Sequence, residues 1–378
     1  MELPPQRSDF AKPAAAMSPM LLAQAAASAA DPDDLCGAVL ADRYRLLRIL
    51  GHGGMGYVYL AEQVALGKPT AVKVLGTRWA KDVRFRDRFL VEARAASKIG
   101  HENVVEIYDY GITPNGSVFM AMELLAGEPL SELVAREGAL PWPRAKRIAL
   151  QVCRALHAAH DKGVLHRDIK PENCFRTKRG SNRDWIVVFD FGLAKIFGDE
   201  KDPQSSLTKV GSLFGTPEYM SPEQARGKPV DGRADIYSVG ILLCELVSGQ
   251  VPFAGDNVMD ILTRVVTEAP PPPRALAPHA EISADLEAVI LRAIEKDPSR
   301  RYQSMRELAE AIAAVATVGA RASRPASVGA VATGVSVVPH IATRASTTTH
   351  LPYVIAIAAL SVVVLLLSIA LLVPGTRS

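Results

Sequence analysis

The run Val164-Leu165-His166-Arg167-Asp168-Ile169-Lys170-Pro171-Glu172-Asn173, followed seventeen positions after Asn173 by Asp190-Phe191-Gly192, constrains this chain more than any other stretch. Asp168 can accept or orient the proton of an attacking hydroxyl, and the oxygens of Asn173 and Asp190 suit a hard divalent cation such as Mg²⁺. Lys170 lies two residues after the acid on the same extended loop. With Lys73 far upstream, these groups are widely separated in linear order, so a fold that uses them must make them converge. Around them, from Tyr44 to about Ala316, apolar strand-like runs alternate with amphipathic helical segments and short turns, without a repeat. That pattern predicts one mixed α and β unit.

The flanks read differently. Residues 1–43 are Ala/Pro-rich with mixed charges and predict a disordered tail; Pro19 and the acidic Glu2 and Asp9 argue against a secretory signal at Met17–Ala30. Residues 317–350 are rich in Ala, Ser, Thr, Val and Arg without periodicity, a flexible spacer. Residues 351–373 carry no charge and as a helix would be about 34 Å long, enough for a hydrocarbon layer of about 30 Å. Arg321, Arg324 and Arg344 precede this run and only Arg377 follows, which puts the large domain inside and leaves residues 374–378 as a short outer tail, too short for a sensor domain. Of the 378 residues 48% are apolar, ample for a core, and a net charge of +3 gives no reason to expect nucleic acid as a partner. Cys36, Cys153, Cys174 and Cys244 form no C-x-x-C pair, which argues against a disulfide framework or a zinc site.

Upstream, Gly51-His52-Gly53-Gly54-Met55-Gly56-Tyr57-Val58 fits G-x-G-x-x-G-x-V, in which positions without side chains let backbone amides approach phosphates. A dinucleotide fold would need a helix next, yet Tyr57-Val58-Tyr59-Leu60 reads as a strand, and no Lys-Ser/Thr follows as an NTPase phosphate loop requires. A plain glycine hairpin is the bland alternative. In Thr70–Leu75, Ala71, Lys73 and Leu75 share one strand face, so Lys73 either snorkels from an edge or pairs with phosphate. In the next helix Phe85, Phe89, Glu92, Ala96 and Ile99 share a face on which Glu92 is the only charge. A carboxylate directed inward needs a cation, and Lys73 is the expected partner.

Together these ordered elements resemble the eukaryotic-like, or Hanks-type, serine/threonine protein kinases of bacteria, over about Tyr44 to Ala316. The resemblance implies an α+β, bilobal fold: a small β-rich N-lobe with one key helix (44–122), a hinge (123–126) and a larger, mainly helical C-lobe (127–316), here followed by one C-terminal transmembrane helix. It implies transfer of the γ-phosphate of ATP to Ser/Thr hydroxyls of proteins with Mg²⁺, or alternatively Mn²⁺, and the Asp-Ile-Lys-Pro-Glu-Asn form points to Ser/Thr rather than Tyr acceptors. Asp168, Lys170, Lys73, Glu92 and Thr216 become the catalytic group, and Asn173 and Asp190 the metal holders. ATP would meet Leu50, Gly51, Gly53, Gly54, Gly56, Val58, Ala71, Lys73, Met122, Glu123, Leu125 and Phe175.

Gly215–Glu223 looks like the family's substrate-receiving segment, with Ser221 in place of the usual Ala, and Glu223 would pair structurally with Arg301. Asp235 would fix the backbone of the catalytic loop. Arg167 would face the activation loop, and phosphorylation of Thr208 would satisfy it and order that loop. Ala269–Pro273 is read as a rigid connector rather than a polyproline ligand. The expected setting is the inner face of the cytoplasmic membrane, single-pass, with protein substrates and, as relatives suggest, a homodimer through the small lobe. The competing readings are a pseudokinase scaffold, disfavoured because Lys73, Asp168, Asn173 and Asp190 are all present, and a small-molecule phosphotransferase, which should lack the Gly215–Glu218 segment.

Overall fold

Between Val39 and Met122 the β-branched and aromatic residues alternate as strands do, and in the computed structural model they form a six-stranded antiparallel sheet. The model describes residues 35–317 apart from 54–55, 77–78, 80–81, 114–115, 117 and 192–215. The strands are β1 (Val39–Leu40), β2 (Tyr44–Gly53), β3 (Gly56–Gln63), β4 (Lys68–Leu75), β5 (Ile107–Ile112) and β6 (Val118–Met122), in the order β1-β2-β3-β4-β6-β5. One face packs Tyr44, Tyr59, Val72 and Phe119; the other packs Ala71, Leu75, Met120 and Met122 against helix α1 (Val83–Ala96). Phe89, Ala93 and Ala96 of α1 are buried, whereas Phe85 and Glu92 are half-buried at the margin of the same face.

The tail was expected to be unstructured up to residue 43, and the described part corrects this. Val39 and Leu40 pair with Arg45 and Tyr44, Leu40 is buried, and Gly37 N–H donates to Leu46 O at 2.8 Å. A two-residue strand is too short to leave a periodic signal, and pairing with its neighbour is what holds it.

After β6 come a three-stranded sheet of β7 (Gly127–Pro129), β8 (Cys174–Arg179) and β9 (Asn182–Val188), and helices, two of them between β7 and β8 and the rest after β9. These are α2 (Leu130–Glu137), α3 (Trp142–His160), α4 (Pro222–Ala225), α5 (Gly232–Ser248), α6 (Val258–Thr267), α7 (Pro273–Leu276), α8 (Ala284–Ala293) and α9 (Met305–Ala314). Helix α5 is apolar nearly all round and therefore runs through the middle of the lobe. Asp231 caps its start, accepting from Arg233 N–H at 2.9 Å, and Gly249 ends it in the left-handed region at φ 74°. Tyr237 of α5 is fully buried. The proline run ends in α7, which opens at Pro273, and so serves as a connector.

The helical lobe closes on itself at its end. Trp142 Nε1 donates to Ala316 O at 3.1 Å, and Lys146 Nζ donates to Ala313 O and Val315 O, both at 2.7 Å. The run at 351–373 lies outside the described residues, among which no helix is long and apolar enough to cross a membrane.

Candidate active site

The loop from Val164 to Asn173 is too interrupted by charge and proline to form a helix, so its backbone is held by side chains. Asp235, buried in the first turn of α5, accepts from His166 N–H at 3.0 Å and Arg167 N–H at 2.7 Å. His160 Nε2 meets the same carboxylate at 2.7 Å. Burial alone would raise the Asp235 pKa, but the His160 contact and the backbone N–H of His166 hold it below the usual carboxylate range. The held loop is strained: Arg167 sits at φ 67°, a conformation that costs a non-glycine residue free energy.

Within the loop, Asn173 Nδ2 donates to Asp168 O at 2.7 Å and to Asp168 Oδ2 at 3.0 Å. Both amide hydrogens are thereby committed to the acid, leaving Asn173 Oδ1 as the polar atom able to face a cation. Lys170 Nζ reaches Asp168 Oδ2 at 3.0 Å and Thr216 Oγ1 at 3.2 Å, so the acid, the loop lysine and the start of the 216–223 segment form one cluster.

The β8–β9 hairpin brings in the remaining groups. Cys174 pairs with Val188, and Phe189 N–H donates to Asn173 O at 3.2 Å, so Asn173 and Asp190 emerge from the same end of the hairpin. Asp190 is the second strained position, at φ 63°. Its Oδ2 takes Lys73 Nζ at 2.7 Å. Lys73 is therefore buried on a central strand, paired with Val58 on one side and Met120 on the other, rather than snorkelling from an edge.

That contact corrects the expected partner of Lys73. Among the described residues no ion pair joins Lys73 to Glu92; the lysine meets Asp190, and Glu92 lies at the half-buried margin of α1. Amphipathic spacing puts Glu92 on the face of α1 that carries Phe89 and Ala96, but does not say which carboxylate lies nearer the amine.

The glycine loop separates structural glycines from vacant ones. Gly56 has φ 144°, and a Cβ there would lie 2.0 Å from Val74 O, so the hairpin itself demands glycine. A Cβ on Gly51 or Gly53 would meet nothing within 4 Å. Among the described residues nothing requires glycine at these two positions, which leaves the backbone open to a close approach from outside. Gly54 lies outside the described residues.

Below the loop, buried Ala71 and Met122 are cross-strand partners, and Leu50, Val58, Leu124 and Leu125 pack against their cluster. Glu123 N–H is spent on Glu106 O at 2.9 Å. Phe175 on β8 sits opposite Pro129. Lys73 stands on the same face of β4 as Ala71 and Leu75, which belong to this apolar cluster.

Glu223 and Arg301 form a buried bidentate pair at 2.7 and 2.8 Å, as expected. Ser221 does more than fill space: it makes a capping box with Gln224, and Gln224 Nε2 donates to Arg167 O at 2.8 Å. Gln224 and His160 are thus supports of the catalytic loop that the motif reading missed. Ser-x-x-Gln before a helix was the available signal for the first; His160 carried none. Among the described residues the buried Nε of Arg167 has no hydrogen-bond partner. Thr208 and Gly192 lie outside the described residues.

The comparisons agree with this geometry. The protein kinase domain model matches residues 44–312. Serine/threonine-protein kinase pkn3 of Myxococcus xanthus is 44% identical over 274 residues, 72% of this chain and 50% of the relative. Serine/threonine-protein kinase PknB of Mycolicibacterium smegmatis is 40% identical over 272 residues, 71% of this chain and 42% of the relative. The chain thus spans half or less of the length of the curated relatives it matches. The crystal structure of the PknI kinase domain of Mycobacterium tuberculosis superposes with a TM-score of 0.57 at 31% identity, covering 73% of this chain and 96% of that one. An acid clasped by its asparagine, a lysine paired with the aspartate at the hairpin end and a family match across both lobes have one common explanation: the chain belongs to the protein kinase family, in its bacterial Hanks-type serine/threonine branch.

Proposed function

We propose that the chain transfers the γ-phosphate of ATP to Ser or Thr hydroxyls of proteins. The observation that carries this reading is the convergence of Asp168, Asn173, Asp190 and Lys73 at the end of one hairpin, beside an apolar slot. The slot formed by Leu50, Val58, Ala71, Met122, Leu125 and Phe175 would take adenine, with backbone groups of Glu123 and Leu125 at its edge. Lys73 would orient the phosphates, Lys170 and Thr216 would steady the γ-phosphate and acceptor end, and Asp168 would accept or orient the hydroxyl proton. Asn173 Oδ1 and the Asp190 carboxylate are oxygen donors fitted to Mg²⁺, or to Mn²⁺. The bound ion would neutralise charge on the transferring phosphoryl group. A pseudokinase scaffold is not favoured, because Lys73, Asp168, Asn173 and Asp190 are all present. The test is labelled ATP with Mg²⁺ and a generic protein acceptor, followed by phosphosite mapping: label on wild type and none on Asp168→Asn is expected, and an unlabelled wild type rejects transfer.

Regulation and location follow as parts of the same proposal. The unpartnered Nε of Arg167 supports a role for it in receiving a phosphate on Thr208; Thr208→Ala retaining full activity would reject that. The uncharged run 351–373 and the arginines before it support a single-pass anchor with the kinase domain on the cytoplasmic side. Membrane fractionation with protease protection checks this. A homodimer through the small lobe is open to sedimentation.

A further inference from the structure

Below the hinge, six charged side chains close a ring in which arginines and carboxylates alternate. Glu128 of β7 binds Arg136 at 2.6 Å and Arg176 at 2.7 Å; Asp184 of β9 binds Arg176 at 3.3 Å and Arg144 at 2.9 Å. Arg144 continues to Glu137 at 2.5 Å, and Glu137 returns to Arg136 at 3.4 Å. The ring therefore ties both strands of the β8–β9 hairpin to β7, the end of α2 and the start of α3. Its outer members, Arg136 and Glu137, are exposed and individually weak, while the Glu128, Arg176, Asp184 and Arg144 arc is partly shielded. Hydrogen bonds from Arg136 and then Arg176 hold the Glu128 carboxyl down to about 2, and Arg144 holds Asp184 low.

The position of the ring gives it a role beyond holding the lobe together. Glu128 and Arg176 are cross-strand partners, and the next pair along is Pro129 with Phe175, the residue proposed above to lie against adenine. The strands are pressed together there: a Cβ on Gly127 would lie 2.0 Å from Arg176 O and 3.2 Å from Phe175 Cε1. Thr177 Oγ1 donates to Ala126 O at 2.7 Å, fixing the end of the hinge to the same strand. The hairpin so clamped starts directly after Asn173 and ends just before Asp190.

We propose that this charge ring is a positioning device for the nucleotide: it sets the height of Phe175 beneath the base while keeping the hairpin that carries Asn173 and Asp190 in register with it. The proposal rests on the slot reading given above. The ring members act through Phe175 and the hairpin and are positioning residues, not catalytic ones.

The experiment measures calorimetric affinity for adenosine without metal, KM and kcat for Mg–ATP, and amide exchange in β8 and β9. Adenosine is uncharged, so it responds to the slot and not to the ring's own field. Asp184→Asn is expected to weaken adenosine and raise the KM for ATP by about ten-fold each, with kcat within about two-fold and faster exchange in the hairpin. Arg144→Gln should do the same and Arg144→Lys should recover most of the affinity, with Glu137→Gln, at the solvent edge, close to wild type. Should Asp184→Asn fail to fold, the two Arg144 variants decide. Unchanged adenosine affinity with a lowered melting temperature overturns the proposal and leaves the ring a staple of the fold. Phe175→Ala separates the two readings: if it binds adenosine as wild type does, the slot reading fails and the ring's role with it. If Phe175→Ala is weakened while Asp184→Asn and Arg144→Gln are not, only the ring's role fails.

Discussion

Two buried ion pairs of similar length do opposite things in this molecule. Arg301 is fully buried and saturated: besides both oxygens of Glu223 it donates to the carbonyls of Glu295, Arg233 and Lys296. Lys73 and Asp190 share a single contact, with side chains 11% and 23% exposed. A saturated pair has no capacity left for a ligand and serves architecture. An unsaturated pair at a cleft keeps donor hydrogens and a carboxylate oxygen available to whatever enters.

The largest effect that can break this comparison is on turnover. Lys73→Met and Asp190→Asn are each expected to lower kcat by about 10³-fold or more while the melting temperature moves by only a few degrees. A large stability loss in Lys73→Met would erase the distinction. Next comes Arg301→Met, which leaves Glu223 buried without its cation and should cost about 3–5 kcal/mol in urea unfolding. A loss below about 1 kcal/mol would mean that saturation does not mark a structural pair.

Acid sharpens the comparison further. Asp235 and Asp184 have folded-state pKa values below their ordinary ones, so the folded protein binds fewer protons than the unfolded chain through the carboxylate range. Their stabilisation is complete above the unfolded value, near pH 4, and is lost as pH falls through the lower folded values. A urea midpoint that declines as pH falls below about 4 is expected, with a smaller decline in Asp184→Asn; an equal decline in that variant would assign it to other groups. The smallest effect concerns Tyr237, whose buried hydroxyl has no partner among the described residues and whose ring centre lies 5.0 Å from the Arg301 guanidinium. Tyr237→Phe removes an unpaired polar atom and keeps the ring, so it should be neutral or stabilising by up to about 1 kcal/mol. A loss would reveal a bond that the hydroxyl makes.

The sequence was most legible where function confines a group to a short segment. Asp168, Lys170 and Asn173 lie within six residues and needed only a loop, and the turn from glycine loop to strand was visible in Tyr57–Leu60. It was least legible where a side chain selects among distant partners. Helical spacing put Glu92 on the face of α1 that turns to the sheet, yet the choice between it and Asp190 for Lys73 depends on how the hairpin meets the sheet. The charge ring draws on residues 128 to 184 across five elements, and no periodicity links them. His160 looks like any helix-end histidine until α5 brings Asp235 against it. Ser221 looked like a neutral exchange because its partner, Gln224, matters through Arg167 and not through its own helix.

The latch that Trp142 and Lys146 make on the final carbonyls bears on where the folded unit can be cut. The family match stops at residue 312, but the acceptors at Ala313, Val315 and Ala316 lie beyond it. A recombinant fragment trimmed to that limit would strip an ammonium and an indole N–H of their acceptors at once and leave α9 frayed on α3. An excised domain should therefore retain the chain through Ala316.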